Sequence, residues 1–119
     1  MKGNVLVTGG SGYIGSHTVV ELLNEGYEAI VVDNMVNAVR NEQNYPESLK
    51  RVEKITGKSV TFYELDIRDR AKLEAVFEKH NIDSVLHFAG LKSVNESVSQ
   101  PLEYYNSIIS GKVIISFWL

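Results

Sequence analysis

The stretch Val5-Leu6-Val7-Thr8-Gly9-Gly10-Ser11-Gly12-Tyr13-Ile14-Gly15-Ser16-His17 places four glycines where a packed protein would prefer side chains. Their spacing contains Gly10-x-Gly12-x-x-Gly15, the pattern of a dinucleotide-binding turn, and Thr8-Gly9-x-x-Gly12-x-x-Gly15, a variant of it. The chemistry of such a turn is anion binding. A pyrophosphate rests against a helix N-terminus, where unpaired N–H groups and the positive end of the helix dipole favour negative charge. The backbone comes that close where side chains are missing. A glycine pattern by itself is weak, but this one follows an apolar run and opens a helical one, the setting the pattern requires. The other common phosphate loop is excluded, because no Gly-Lys-Ser/Thr follows the glycines.

Asp33 is the second candidate. It ends an apolar run about 20 residues beyond the glycines, where a carboxylate can accept both ribose hydroxyls of NAD. An NADP site would need an arginine near that point, since a carboxylate repels a 2′-phosphate. Arg40 is the nearest, well into the following segment. NAD is therefore favoured over NADP. Asp66-Ile67 follows a later apolar run and could flank an adenine, with a carboxylate that merely starts a helix as the equal alternative. Of the three histidines, His17 and His80 read as structural or exposed and His87 as a core residue, and no pair has metal-ligand spacing.

The elements that must position these residues alternate. Val5-Leu6-Val7 is a strand cut off at Thr8-Gly9, and a helix from Gly12 carries Ile14, Val19, Leu22 and Leu23 to a stop at Gly26. Ala29-Ile30-Val31-Val32 is a second strand, and Asn34 to Tyr45 is a polar loop. Pro46 suits the first turn of a helix bearing Leu49, Val52 and Ile55, ended by Gly57. Val60 to Tyr63 is a third strand, Asp69 caps a helix with Leu73, Val76 and Phe77, and Val85-Leu86-His87-Phe88 is a fourth strand. Pro101 opens a further helix. The strands are continuous apolar runs, as in a parallel sheet covered on both faces. The expected fold is an α/β, Rossmann-type, doubly wound parallel sheet of about four strands.

The 119 residues suffice for one domain, with 44% hydrophobic and 23% charged residues, as in a globular protein. A net charge of −3 with scattered Lys and Arg leaves no nucleic-acid footprint. There is no cysteine, hence no disulfide, thiolate zinc site or cysteine nucleophile. The first apolar run is too short for a signal-peptide core and nothing reaches transmembrane length, so no membrane partner and a cytoplasmic location are expected.

Four stretches, "VLVTGGSGYIGSHTVVELL", "VVDNMVNA", "YELDIRD" and "VLHFAGLKSVNESVSQPLEYY", carry a further signal. Together they resemble the extended short-chain dehydrogenase/reductase family, and within it the branch that epimerises UDP-sugars at C4. The match runs from near residue 3 to about residue 105. The resemblance implies NAD as cofactor, a UDP-sugar as substrate, and residues 1–119 as the N-terminal cofactor-binding domain of a longer enzyme, incomplete here and without its substrate domain. It implies that Gly9, Gly12, Tyr13, Ile14 and Gly15 serve the pyrophosphate turn, with Asp33 and Asn34 on the adenosine ribose and Met35, Val36 and Asn37 lining that side. Asp66 and Ile67 would flank the adenine, and Phe88 would border the cofactor. Lys92 would reach the nicotinamide half, and Lys92, Ser93 and Val94 would border the sugar nucleotide. Related enzymes are often homodimers when full length.

In this family a Tyr-x-x-x-Lys motif supplies the base that acts while NAD takes and returns a hydride at sugar C4 through a 4-keto intermediate. The six tyrosines here, Tyr13, Tyr27, Tyr45, Tyr63, Tyr104 and Tyr105, are followed four places on by His17, Val31, Leu49, Ile67, Ile108 and Ile109. None is lysine, so this chain holds no catalytic residue of that kind. Its last segment, "KVIISFWL", departs from the family pattern and reads as a shortened product with an aggregation-prone end. Two other readings stand beside the epimerase: a sister dehydratase or decarboxylase, disfavoured by Leu91-Lys92-Ser93-Val94, and a non-catalytic NAD-binding module.

Overall fold

In the computed structural model, residues 2–10, 12–35, 40, 42–89 and 113–118 are described. The chain runs β1 (Asn4–Thr8), α1 (Tyr13–Asn24), β2 (Glu28–Asp33), α2 (Glu47–Thr56), β3 (Thr61–Glu64), α3 (Arg70–Lys79), β4 (Ser84–Ala89) and β5 (Val113–Trp118). The strands form one sheet in the order β3-β2-β1-β4-β5, and every pairing is parallel. The four expected strands are present, and the unusual last segment adds a fifth. Its Val113 to Trp118 pair in register with Ser84 to Ala89. The helix expected from Pro101 lies outside the described residues.

Strand alternation divides the core between the two faces of the sheet. On one face Val5, Val7, Ala29, Val31 and Phe88 pack with Val19 and Leu23 of α1 and Leu49 and Val52 of α2. On the other, Leu6, Ile30, Val32 and Val85 pack with Leu73 and Val76 of α3. Leu6 and Ile30 are fully buried, each contributing about 1.5–3 kcal/mol by leaving water. Both faces are filled, which is why β1 and β2 read as unbroken apolar runs.

The helix ends follow local chemistry. Gly57, at φ 69°, closes α2 in the left-handed conformation that glycine tolerates. Asp69 caps α3 by accepting the Lys72 N–H at 3.3 Å. The Lys58 ammonium donates to the Leu23 carbonyl at 2.6 Å, tying the end of α1 to the α2–β3 connection.

One expected core residue is misplaced. Ile55 was grouped with Leu49 and Val52, yet it is 70% exposed. Each three-residue step falls about 60° short of a full helical turn, so two steps carry Ile55 about 120° away from Leu49 and off the buried face.

Candidate functional site

The doubly wound order has a switch point between β1 and β4, where successive connections leave to opposite sides and a crevice opens at the carboxyl ends of the strands. The glycine turn lies there, and its four glycines divide by what a side chain would meet. At Gly9, φ is 70° and a Cβ would lie 3.1 Å from the Phe88 carbonyl oxygen. A Cβ at Gly10 would meet Val31 Cγ1 at 2.7 Å, and one at Gly15 would meet the Gly9 carbonyl oxygen at 2.4 Å. These three let turn, helix and sheet pack closely. Gly12 is different. Its backbone is ordinary extended chain (φ −74°, ψ 176°), and among the described residues a Cβ there would meet nothing nearer than the Gly9 oxygen at 3.5 Å.

Gly12 is also the N-cap of α1. No side chain caps this helix and no acid stands in its first turn. Ile14, also in that turn, is 47% exposed. An exposed, uncapped helix start that no described side chain crowds suits a pyrophosphate. Beneath it, Thr8 and His87 are register partners and both are buried. Thr8 Oγ1 and His87 Nδ1 share a hydrogen bond of 2.7 Å, and the Phe88 N–H donates to the same Thr8 oxygen at 3.2 Å. Burial pushes the His87 pKa below its ordinary value, which keeps the ring neutral at pH 7. This arrangement fixes the end of β1 against β4, so the turn starts from a rigid point.

Asp33 ends β2 as expected and is half-buried. Its Oδ1 accepts the Met35 N–H at 2.9 Å, and a carboxylate oxygen has capacity for a further donor such as a ribose hydroxyl. That bond supports an unusual residue. Met35 has φ 65° and is 4% exposed, a conformation that costs a non-glycine residue about 1–2 kcal/mol. Asn34 is exposed beside it.

Asp66 faces a partner that its sequence position did not suggest. Its Oδ2 accepts from Arg68 Nη2 at 2.6 Å, and its Oδ1 accepts the Arg68 backbone N–H at 2.9 Å. Hydrogen bonding from the Arg68 side chain holds the Asp66 carboxyl below its ordinary pKa. Ile67 packs half-buried against the core on the α3 face. Phe88 is 7% exposed within the core of the other face, and its carbonyl lies against Gly9. Tyr13 opens α1. Val36, Asn37, Lys92, Ser93 and Val94 lie outside the described residues.

Two features escaped the sequence reading. One is the Thr8–His87 pair, which sits 79 residues apart. The other joins Arg40 to Glu64, 24 residues away, through bonds of 2.7 Å from Nη1 to Oε1 and 2.9 Å from Nη2 to Oε2. A groove beside α3, lined by Tyr63, Leu65, Lys72, Val76 and Lys79 among others, contains neither Asp33 nor any glycine of the turn. Among the described residues no cluster could hold a metal ion, and no helix is long and apolar enough to cross a membrane.

Sheet order, switch point and glycine turn define a Rossmann-type domain of the kind that holds dinucleotides. The sequence profile of the family described as GDP-mannose 4,6 dehydratase matches residues 6–115, and the chain belongs to that family. It is similar to the UDP-glucose 4-epimerase of Mus musculus, with 57% identity over 109 residues, covering 92% of this chain and 31% of that protein. Among solved structures it is similar to a UDP-glucose 4-epimerase from Bifidobacterium longum in complex with NAD+ and UDP (54% identity, TM-score 0.66, 87% of this chain and 29% of that one). It is also similar to one from Stenotrophomonas maltophila with bound NAD and formylated UDP-arabinopyranose (48% identity, TM-score 0.66, 92% and 31%). The resemblance read from the four sequence stretches is borne out. The chain spans about a third of the length of the curated relatives it matches.

Proposed function

We propose that this chain is the NAD-binding part of a UDP-sugar 4-epimerase that interconverts UDP-galactose and UDP-glucose in galactose metabolism. The observation that carries the reading is the contrast at Gly12: three neighbouring glycines are required by packing, whereas Gly12 opens an uncapped helix where, among the described residues, a Cβ would meet no clash. Bound NAD would supply a hydride acceptor and donor for the sugar C4 position. The first-turn N–H groups of α1 would hold its pyrophosphate, with Gly12, Tyr13 and Ile14 against it and Gly9 and Gly15 shaping the turn. Asp33 and Asn34 would take the adenosine ribose, beside Met35, Val36 and Asn37. Asp66 and Ile67 would flank the adenine while Arg68 keeps the Asp66 carboxylate ionised and oriented. Phe88 would border the cofactor, Lys92 would reach its nicotinamide half, and Lys92, Ser93 and Val94 would border the sugar nucleotide.

Identities of 50–57% to UDP-glucose 4-epimerases support the epimerase over the dehydratase named by the family description. With no Tyr-x-x-x-Lys motif, the 119-residue chain binds cofactor without turning substrate over. The test is a titration of the purified chain with NAD, followed by calorimetry and thermal melting. Saturable binding with a raised melting temperature is expected, because a ligand of the folded state stabilises it by mass action. An unchanged melting temperature at saturating NAD would remove the proposal.

A further inference from the structure

Arg40 stands out because it follows Asp33 by a few residues and carries the group that would suit an NADP site. A guanidinium near the end of the second strand is what accommodates a 2′-phosphate in dinucleotide-binding domains. In this chain that guanidinium is already engaged. Glu64 takes it in a two-point fork at 2.7 and 2.9 Å, and Asn44 Oδ1 accepts from Nη1 at 3.1 Å. An isolated backbone bridge also pairs Arg40 with Pro46. Glu64 is the register partner of Asp33, so the two carboxylates leave adjacent parallel strands at the same level and toward the same face. The fork therefore lies next to the position that would receive the adenosine ribose.

We propose that Glu64 is a specificity-determining residue, which holds Arg40 away from a 2′-phosphate and so enforces NAD over NADP. This rests on the reading that Asp33 takes the adenosine ribose. Asp33 opposes the 2′-phosphate by its charge, and Glu64 withholds the nearby cation that could offset that repulsion. The two partners keep each other charged: the hydrogen bond from Arg40 lowers the Glu64 pKa, and the same bond raises that of Arg40. Both groups are substantially exposed, so the fork does little for stability and its removal leaves the fold in place. What it controls is where a planar, five-donor group can point.

The experiment measures dissociation constants for NAD and NADP by calorimetry on three forms of the full chain: wild type, Glu64→Gln, and Glu64→Gln combined with Arg40→Ala. Freeing Arg40 in Glu64→Gln is expected to tighten NADP binding about tenfold and leave NAD within about twofold. The double variant is expected to lose that gain. NADP affinity unchanged in Glu64→Gln, with NAD binding intact, overturns the role of Glu64 and leaves the NAD site standing. A gain that persists in the double variant also overturns it, because loss of a repelling carboxylate would then suffice. Absence of NAD binding in the wild type overturns the ribose reading and this proposal with it.

Discussion

The β1–α1 and β3–α3 junctions leave the same end of the sheet, yet they treat the exposed N–H groups of the following helix in opposite ways. At β3–α3 side chains of the junction itself accept backbone N–H groups. Asp69 accepts from Lys72, and Asp66 turns the chain by accepting the Arg68 N–H while pairing with its side chain. At β1–α1 no side chain caps the helix, and among the described residues a Cβ on Gly12 would meet nothing nearer than the Gly9 oxygen at 3.5 Å. One topology thus yields a turn capped by its own side chains and a turn that no side chain caps. The difference is carried by side chains that are present at one junction and withheld at the other.

That contrast can be broken or sharpened by substitution. The largest effect is expected from Gly15→Val. Its Cβ would lie 2.4 Å from a backbone oxygen that cannot swing away, so a loss of about 3 kcal/mol is expected in urea unfolding followed by circular dichroism. Gly12→Asp would make the uncapped junction resemble the capped one. Its backbone angles suit any residue and its Cβ has room, so stability should hold or rise by a few tenths of a kcal/mol. NAD affinity should meanwhile fall about 100-fold in calorimetry, because a carboxylate would occupy the anion's place. A stability loss comparable to that of Gly15→Val would mean that Gly12 serves packing as well, and the contrast would fail. The smallest effect belongs to the capped junction. Asp69→Ala should cost about 1 kcal/mol in the same unfolding experiment and leave NAD affinity unchanged.

The parts of the site carried by short-range pattern were legible in the sequence. The glycine spacing, the acid closing β2 and the cap of α3 depend on residues close together in the chain, and each was placed correctly. That packing demands a glycine at positions 9 and 10 was not legible, since the Phe88 carbonyl and Val31 that a side chain would strike come in from neighbouring strands. The Arg40–Glu64 fork and the Thr8–His87 pair depend on strand register, which no local signal encodes. Asp66 read equally well as an adenine contact or a structural turn, and its pairing with Arg68 gives it a structural task whatever else it holds. The backbone conformation of Met35 carried no signal. Its left-handed backbone is supported by the preceding Asp33 and by burial, in a position where a sequence reading would expect glycine or asparagine.

The central position of β1 also bears on the order in which the protein takes shape. β1 precedes the other strands of this sheet in the chain, and it lies between β2 and β4. At a ribosomal pace of about 5–20 residues per second, the 79 residues from Thr8 to His87 take about 4–16 s to appear. Throughout that interval the β4-facing edge of β1 has no native strand to zip onto, and the buried hydroxyl of Thr8 has no imidazole to meet. Helices α1, α2 and α3 can form early from local contacts, but the sheet closes late, in keeping with the slow folding of distant parallel pairings. The nascent chain is therefore most exposed to misassembly just before β4 arrives.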